Sequence, residues 1–222
     1  MIYTMLKMDS GSKKRNIILG ASGLAKEVFE LLVSTGIDNE ALFVDINAGQ
    51  IKIGSKVYSV VKEQDVLDNY NPAEVLLYNA IGFPELRRSV FEKFDGWRFP
   101  NVVANSAILS PTIKLGRGNI FCEGVVITAD VEIGNNNYFN LNTTVGHDSL
   151  IGDHCVVNPG ANISGKVTLC DAILVGTGAS LLQNLSVSKN SVVGAGACLT
   201  KTIKDEGAVL VGIPAKNIKK NY

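Results

Sequence analysis

The sequence has few of the residues that carry metal, redox or nucleic-acid chemistry. Only two histidines occur in 222 residues, and the four cysteines form no CxxC pair, so we expect packed free thiols rather than metal ligands or disulfides. Lysine plus arginine equals aspartate plus glutamate at 21 each, which argues against the basic field of a nucleic-acid-binding protein. We therefore expect no metal and no nucleic-acid partner, and a ligand that is small and neutral or anionic.

Long apolar runs are also missing. None approaches the roughly 20 residues of a membrane-spanning helix, and the opening stretch MIYTMLKMDSGSKKR lacks the apolar core of a signal peptide. We therefore expect a cytoplasmic protein that does not insert into membranes. The first dozen or so residues are polar or irregular, so we also expect a loose N-terminus.

The sequence does contain a strict six-residue repeat from Ala107 to Thr202. The frame holds through sixteen consecutive units, and the third place of every unit is Leu, Ile, Val or Phe. A helix needs a period of about 3.6 residues and a half-buried strand a period of 2, so the pattern fits neither alone. It predicts a solenoid in which each unit supplies one short strand and a bend. Three units would complete one triangular coil, giving about five coils.

The place after the third-place residue is often glycine or asparagine. We expect the backbone to turn there, because glycine leaves no Cβ in the way and asparagine is the next best residue in a left-handed conformation. These residues are Gly116, Gly134, Gly146, Gly152, Gly176, Gly194, Asn140 and Asn158. The frame ends at Asp205, where the open end of the solenoid needs a covering segment or a partner.

The first hundred residues alternate apolar strand patterns with helical ones, beginning with a strand that runs into the turn Gly20-Ala21-Ser22-Gly23. Such alternation predicts a small parallel sheet with helices against it, which is a Rossmann-like α/β unit. We place this unit at residues 1–103 and the solenoid at residues 104–222. The predicted strands are residues 16–19, 41–44 and 74–81. One predicted helix follows the glycine turn, and two more occupy residues 63–70 and 84–95.

One rim of this unit collects candidate ligand-binding residues. A glycine turn before a helix lets backbone N–H groups approach an anion, and Asp45 at the end of the second strand suits a ribose. Gly82 would join them at the same sheet edge. The glycines could equally serve only a tight turn, and Asp45 could be only a turn former. The pair Arg87 and Arg88 is interpreted as a solvated face of the last helix, which would turn Leu86 inward.

The two histidines, His147 and His154, fall at outward or corner places of neighbouring repeat units. We interpret His154 as a polar surface residue. His147 is followed by Asp148, whose carboxylate could orient the imidazole and raise its basicity. A base of this kind suits the deprotonation of an amine or hydroxyl that attacks an acyl donor. Adjacency in sequence does not establish a hydrogen bond, so catalytic and surface roles both remain open for His147.

These motifs resemble those of the hexapeptide-repeat acyltransferases. The GASG turn, together with GHDSLIG, PGANISG, VGTGAS, VGAGA and GIPAK in the repeat, is similar to bacterial sugar acetyltransferases of the NeuD and PglD type over about residues 17–219. The resemblance implies a left-handed parallel β-helix behind the α/β unit. It also implies acetyl-CoA as co-substrate and a homotrimer with active sites between subunits.

The resemblance implies roles for particular residues. It places the catalytic base on His147 and the acidic neighbour on Asp148. The implied acetyl-CoA contacts are Val156, Thr177 and Ala195, and the implied nucleotide-sugar contacts are Ser22, Gly23, Leu24, Asp45, Ile46 and Gly82. Relatives often carry histidine where this chain has Leu24 and Val156, so the substrate contacts differ and one side-chain hydrogen bond to the cofactor is lost.

The function implied is N-acetylation of a nucleotide-linked 4-amino-deoxy sugar in bacterial glycan biosynthesis, by direct attack of the amine on acetyl-CoA. O-acetylation of sialic acid or another sugar hydroxyl is the alternative within the enzyme class. A non-catalytic trimeric sugar-binding scaffold is the alternative outside it. A dinucleotide-dependent oxidoreductase fits less well, because the glycine turn is not a complete GxGxxG fingerprint.

Overall fold

The structure is a computed structural model that describes residues 14–37 and 40–219. The expected loose N-terminus lies outside these residues. No helix in the described part of the chain has the length and apolar character needed to cross a bilayer.

A five-stranded sheet with the order β3-β4-β2-β1-β5 forms the N-terminal unit. Neighbouring strands are parallel except β3, which runs antiparallel to β4. The elements are β1 (Arg15–Leu19), α1 (Gly23–Ser34), β2 (Ala41–Asp45), β3 (Gly49–Ile53), β4 (Lys56–Lys62), α2 (Glu63–Asn69), a 3₁₀ turn (Pro72–Glu74), β5 (Val75–Asn79) and α3 (Pro84–Lys93). The predicted parallel α/β layer is confirmed, with element ends within about two residues.

The hairpin of β3 and β4 is absent from the predicted elements. Its side chains are mostly exposed, and only Ile51 and Val60 are fully buried. A hairpin at a sheet edge can lack the strong apolar alternation that marks a half-buried strand, and this one therefore leaves little trace in the sequence.

The repeat folds into a parallel β-helix with one two-residue strand at the second and third places of each unit. The strands are β6 (Val102–Val103), β7 (Ile108–Leu109), β8 (Lys114–Leu115), β9 (Ile120–Phe121), β10 (Val126–Ile127), β11 (Glu132–Ile133), β12 (Tyr138–Phe139), β13 (Thr144–Val145), β14 (Leu150–Ile151), β15 (Val156–Val157), β16 (Asn162–Ile163), β17 (Thr168–Leu169), β18 (Leu174–Val175), β19 (Ser180–Leu181), β20 (Ser186–Val187), β21 (Val192–Val193), β22 (Cys198–Leu199), β23 (Val209–Val211) and β24 (Lys216–Asn217). The predicted solenoid is confirmed.

The strands sort into three sheets. Sheet 1 contains β6, β9, β12, β15, β18, β21, β23 and β24; sheet 2 contains β7, β10, β13, β16, β19 and β22; sheet 3 contains β8, β11, β14, β17 and β20. Third-place side chains point into one continuous core, in which the rings of Phe121 and Phe139 stack at 4.9 Å. The chain turns at three corners per coil, named here by the sheets they join: the 1/2, 2/3 and 3/1 corners.

The turns differ from the prediction in one respect. Left-handed backbone falls at the sixth place of the units, as at Asn136, Asp148 and His154, and not at the fourth. The fourth-place glycines are required for space instead. At Gly146, for example, an added Cβ would lie 2.4 Å from the backbone nitrogen of Gly165 in the next coil. The turn at each corner therefore depends on two places of the unit: the sixth, where the backbone is left-handed, and the fourth, where space is restricted.

The ends of the solenoid extend beyond the regular frame. Before it, β6 pairs with β9 in sheet 1, so the first solenoid strand lies on the N-terminal side of the 103/104 division, which itself stays a prediction. After it, β23 continues sheet 1 beside β21, and β24 folds back antiparallel. Ala208 and Leu210 are buried in the core at this end, so the chain supplies its own covering segment.

The N-terminal unit packs on sheet 1 and on the 3/1 corner. Apolar residues of α1 share a buried cluster with the outward side chains of sheet 1, including Tyr138 and Val156. On α3, Leu86 is 58% exposed and Arg87 is completely buried, so the interpretation of Arg87 as part of a solvated face is wrong. Arg87 occurs on the same helix face as Pro84 and Val90, which are also buried.

His154 is also buried, because the ring of Phe91 packs edge-on against it with 5.5 Å between centroids. The interpretation of His154 as a surface residue is therefore wrong. Its Nδ1 lies 2.9 Å from Nδ2 of Asn136. Burial lowers the pKa of His154, which favours the neutral form of the imidazole in the interface. Of the cysteines, Cys122 and Cys155 are packed free thiols as expected, whereas Cys170 is exposed.

Candidate functional site

The turn after β1 passes closely between β2 and β5. The Gly20 N–H donates to the Val44 carbonyl at 2.7 Å, and the residue has φ of 122°. An added Cβ would lie 2.9 Å from the Ala80 carbonyl oxygen, so both conformation and space require glycine. Ser22 precedes α1 without making a side-chain cap. In the first helical turn, the Ala25 N–H donates to the Ser22 carbonyl at 3.1 Å, whereas the N–H groups of Gly23 and Leu24 point to the rim without partners inside the helix.

The predicted rim residues come together at the carboxyl edge of β2, β1 and β5. Asp45 accepts a hydrogen bond from the Ile46 N–H at 2.7 Å, and the Ile46 side chain is 73% exposed. A Cβ on Gly82 would lie 3.5 Å from Cδ2 of Leu24, which places Leu24 against the loop after β5. The rim thus combines helix N–H groups, a carboxylate and exposed apolar surface, a set suited to a nucleotide.

His147 lies at a 2/3 corner, directly after β13, and is hydrogen-bonded to its neighbour. Nδ1 of His147 is 2.7 Å from Oδ2 of Asp148, and both side chains are about half exposed. The backbone is held by the coils on either side, since Asp148 N–H donates to Ala129 and the His147 carbonyl accepts from Lys166. With Nδ1–H donated to the carboxylate, Nε2 keeps the lone pair that can accept a proton.

Gly165 lies under the His147 ring in the next coil. A Cβ at this position would come within 2.7 Å of Nε2 and 2.9 Å of Cε1 of the imidazole. Any larger residue would therefore displace the ring from its place beside Asp148. The backbone of Gly165 is not left-handed, so glycine is required here only to leave room for the histidine.

The predicted cofactor contacts do not join His147 within one chain. Thr177 and Ala195 are exposed and lie on neighbouring coils of the 1/2 corner, where the Gly196 N–H donates to the Thr177 carbonyl at 2.8 Å. His147 is on the 2/3 corner. Val156 is only 1% exposed because its side chain packs under the N-terminal unit. His147 therefore lies on a different corner of the solenoid from Thr177 and Ala195.

Two interface residues, Arg87 and His154, carry polar chemistry that the predicted site does not include. The Arg87 guanidinium donates to four backbone carbonyls, those of Asn79, Ile81, Asn136 and Asn137. Burial lowers its pKa to about 9. Helical spacing from Pro84 to Val90 is the signal in the sequence that could have placed Arg87 on the inward face.

Among the described residues, no group of three or more potential ligands could hold a metal ion. An open hollow lies at the 3/1 corner near the C-terminal end of the solenoid. It is lined by Cys170, Asp171, Ser188, Lys189, Lys204 and Glu206. This hollow is separate from both the rim and the His147 corner.

Comparison with known proteins gives a family match for the N-terminal unit. A family model described as the PglD N-terminal domain matches residues 16–94. A curated relative, the uncharacterized protein L142 of Acanthamoeba polyphaga mimivirus, is 27% identical over 102 residues, which are 46% of this chain and 20% of that protein. The chain thus spans only about a fifth of the viral protein.

Solved structures match nearly the whole chain. The acetyltransferase domain of PglB from Neisseria gonorrhoeae is 28% identical with a TM-score of 0.85, and the match covers 93% of this chain and 100% of that one. A mutant of perosamine N-acetyltransferase from Caulobacter crescentus, in complex with CoA and GDP-perosamine, is 27% identical with a TM-score of 0.86, covering 94% and 99%. WeeI from Acinetobacter baumannii is 26% identical with a TM-score of 0.83, covering 93% and 100%.

These matches extend over the α/β unit and the solenoid together. The fold is a Rossmann-like α/β unit followed by a left-handed parallel β-helix. The N-terminal unit thus matches the PglD N-terminal domain model, and the whole chain is similar to sugar acetyltransferases of the hexapeptide-repeat type.

Proposed function

We propose that this protein transfers the acetyl group of acetyl-CoA to the amino group of a nucleotide-linked 4-amino-deoxy sugar, in bacterial glycan biosynthesis, with His147 as the general base. The observation that carries the proposal is the exposed His147 ring, hydrogen-bonded through Nδ1 to Asp148 at 2.7 Å. The similar PglB domain has been crystallised with acetyl coenzyme A, and the similar perosamine N-acetyltransferase with CoA and GDP-perosamine. Both support the proposed substrates.

The proposed reaction is a direct transfer in a ternary complex. The sugar amine attacks the thioester carbonyl, the C–N bond forms, and Nε2 of His147 accepts the proton that the amine loses. The tetrahedral intermediate then collapses with cleavage of the C–S bond, the sulfur leaves as the CoA thiolate, and the proton on His147 passes to that thiolate or to solvent. Asp148 holds the ring and stabilises the imidazolium that forms. Among the described hydrogen bonds, none joins His147 to a serine or cysteine, which supports direct attack over a covalent acyl-enzyme.

The rim of the N-terminal unit is proposed to hold the nucleotide sugar. The first turn of α1, with Ser22, Gly23 and Leu24, presents N–H groups that suit a diphosphate. Asp45 and Ile46 offer a carboxylate and an apolar surface to the nucleoside, and Gly82 forms the opposite side of the rim. Backbone donors and a single carboxylate would explain how the rim binds a nucleotide without a cluster of basic side chains.

The complete site is proposed to form between subunits of a homotrimer. Acetyl-CoA would lie between the 2/3 corner of one chain, which carries His147, and the 1/2 corner of a neighbour, which carries Thr177 and Ala195. Their separation on different corners of the same solenoid supports this arrangement. Val156, which is also implied as a contact, would have to act from beneath the N-terminal unit.

The deciding experiment measures release of free CoA from acetyl-CoA with a panel of UDP-, dTDP- and GDP-linked 4-amino sugars and free sialic acid. Wild type, His147→Ala and Gln183→Ala are compared. Gln183 is exposed at the same place of the same corner two coils away, so it controls for changes to the surface. We expect turnover with one amino sugar, a loss of roughly 10²- to 10⁴-fold in kcat for His147→Ala, and wild-type activity for Gln183→Ala.

Each other outcome has a defined meaning. Turnover with sialic acid alone would identify an O-acetyltransferase. Binding of nucleotide sugar without release of CoA would favour the non-catalytic scaffold. Full activity of His147→Ala would disprove the assignment of the base.

A further inference from the structure

Arg87 is a completely buried cation that has no acidic partner in the described part of the chain. The groups acting on it besides burial are Tyr138, Cys122 and Cys155, all of them neutral near pH 7. Its charge is instead stabilised by backbone carbonyls and by the Tyr138 ring, whose centroid is 5.7 Å away. Burying a charge in this way is costly, and a purely apolar side chain would pack at lower cost.

The four carbonyls that Arg87 contacts belong to two different parts of the molecule. Nη1 donates to Asn79 at 2.7 Å and to Ile81 at 3.2 Å, at the end of β5 and in the loop that leads to Gly82 on the rim. Nε donates to Asn136 at 2.6 Å and Nη2 to Asn137 at 3.2 Å, at a 3/1 corner of the solenoid. One planar group therefore joins the rim to the β-helix.

The surrounding amides reinforce the same connection. Asn79 donates from Nδ2 to the Arg87 carbonyl at 3.0 Å and accepts from the Ile81 N–H at 3.2 Å. From the solenoid side, Asn136 donates to the same Arg87 carbonyl at 3.1 Å. The rim loop is thus held through both the side chain and the backbone of Arg87.

The solenoid corner to which Arg87 donates its hydrogen bonds belongs to the coil that carries His147, the proposed base. The chain runs from Asn137 through β12 and β13 directly to His147. The rim is therefore attached at the level of the base along the solenoid axis. Copies related by rotation about an axis that is parallel to the solenoid axis and lies outside the solenoid carry the same coil at the same level, so the relation also holds for the His147 of a neighbouring subunit.

We propose that Arg87 is a positioning residue that fixes the height and orientation of the nucleotide-sugar rim relative to His147, so that the acceptor amine meets the base and the thioester. The proposal rests on the proposed function. Arginine suits this role better than lysine, because its planar fork presents several N–H donors in fixed directions while an ammonium is a point charge on a flexible stem. A misplacement of about 1 Å between reacting groups can cost about 10²-fold in rate.

The test compares wild type with Arg87→Lys and with the matched control Arg88→Lys. Arg88 is the next residue on α3, and within residues 14–37 and 40–219 its side chain bonds only to the Asn190 side chain, at 3.1 Å. For Arg87→Lys we expect kcat per folded molecule to fall roughly 10- to 100-fold. The KM for acetyl-CoA and the Kd for the nucleotide sugar should stay within about threefold of wild type, because none of the residues proposed to contact either ligand is changed. Arg88→Lys should keep wild-type kcat.

A second variant, Asn136→Gly, tests the same contact in case Arg87→Lys folds poorly. Asn136→Gly removes the hydrogen bond to the Arg87 carbonyl, and glycine tolerates the φ of 54° at this place. We expect a smaller fall in kcat in the same direction. Adding guanidinium at millimolar concentration to Arg87→Ala should restore part of the lost kcat, whereas methylammonium should not.

A readout independent of turnover separates this proposal from the proposed function. Amide hydrogen exchange of residues 80–83 should be faster in Arg87→Lys than in wild type and unchanged in Arg88→Lys. If wild type acetylates none of the sugars, the proposed function fails, and the exchange data still decide whether Arg87 holds the rim. Wild-type kcat with unchanged exchange in Arg87→Lys, or an equal loss in Arg88→Lys, would overturn the positioning role.

Discussion

At the scale of single residues, the proposed site depends on a glycine, Gly165, as well as on the reactive pair His147 and Asp148. His147 is adjacent to its carboxylate in sequence, yet the ring can occupy its observed position only because Gly165, 18 residues later, has no side chain. The sequence shows that His147 and Asp148 are adjacent, but it does not show that Gly165 lies against the His147 ring. Contacts across coils become visible only when the coil length and the corner of each residue are known.

Replacing Gly165 by alanine should impair catalysis without unfolding the protein. The added Cβ would lie 2.7 Å from Nε2 of His147, so the ring must rotate away from Asp148. We expect kcat to fall at least about 10-fold, since general-base catalysis contributes roughly 10²- to 10⁴-fold, while the melting temperature changes little. Gly49→Ala is the matched control, because nothing lies within 4 Å of a Cβ there. An unchanged kcat in Gly165→Ala would argue against His147 as the base.

The buried His154 should make stability depend on pH. Burial lowers its pKa in the folded state below the ordinary value of 6.5. Among the nearby charged groups, Asp153 and Glu92 oppose this shift, whereas Arg88 and Arg87 lower the pKa further. As pH falls below about 6.5, the unfolded chain binds the proton more readily than the folded one, so the free energy of unfolding decreases. For one proton, the slope is at most about 1.4 kcal/mol per pH unit.

The measurement is urea unfolding between pH 7.5 and pH 5 for wild type and His154→Asn. Asparagine occupies the same left-handed place at Asn136 and Asn190, so the backbone should tolerate it. We expect the stability of wild type to decline more steeply toward acid than that of the variant. Parallel curves would show that His154 does not contribute to the pH dependence.

At the scale of elements, the strands of the repeat could be predicted in detail, but the interface between the N-terminal unit and the solenoid could not. A period of six with an apolar third place determines where each short strand lies and which side chain enters the core. The position of the left-handed residue at the sixth place is less clear, because Asp148, His154 and Ala172 adopt it alongside asparagine and glycine. The inward face of α3 is hidden for a related reason: Arg87 is a charged residue where an apolar one is expected.

The candidate site could be predicted in part, where simple rules of strand geometry apply. Rim residues follow the carboxyl ends of parallel strands, and that rule brought Asp45 and Gly82 together with the glycine turn. The separation of His147 from Thr177 and Ala195 follows from the corner that each occupies, and this requires the register of the coils. The burial of Val156 depends on how the N-terminal unit docks, for which the sequence carries no periodic signal.

Neighbouring residues of one strand should differ sharply in their contribution to stability. In β14, Ile151 points into the core and is 3% exposed, whereas Leu150 points outward and is 46% exposed. Ile151→Ala should lower the free energy of unfolding by about 2–5 kcal/mol, and Leu150→Ala by no more than about 0.5 kcal/mol. Chemical denaturation of both variants checks this. Similar losses for the two would contradict the inward assignment of the third place.

At the scale of the whole molecule, the proposed subunit-shared site predicts complementation between two inactive variants. His147→Ala lacks the base, and Ala195→Trp should block the cofactor at the 1/2 corner. In trimers formed at random from equal amounts of the two, about one site in four would combine an intact His147 with an intact Ala195 from its neighbour. CoA release should therefore recover to about a quarter of wild type after co-refolding.

Two controls accompany this experiment. Each variant refolded alone should remain inactive, and sedimentation should show that both still form trimers. A site contained within one chain would give no recovery in the mixture, and a monomer at working concentration would contradict the shared site directly.

The constant coil length also constrains how related chains can diverge in length. Strands pair with partners 18 residues away throughout the regular part of the solenoid. Loss of a single six-residue unit after His147 would shift every later residue to another corner, and Thr177 and Ala195 would leave the 1/2 corner that the proposed trimer requires. Loss of a full 18 would keep each residue on its corner. Insertions and deletions in this region should therefore accumulate over evolution as whole coils, in multiples of 18.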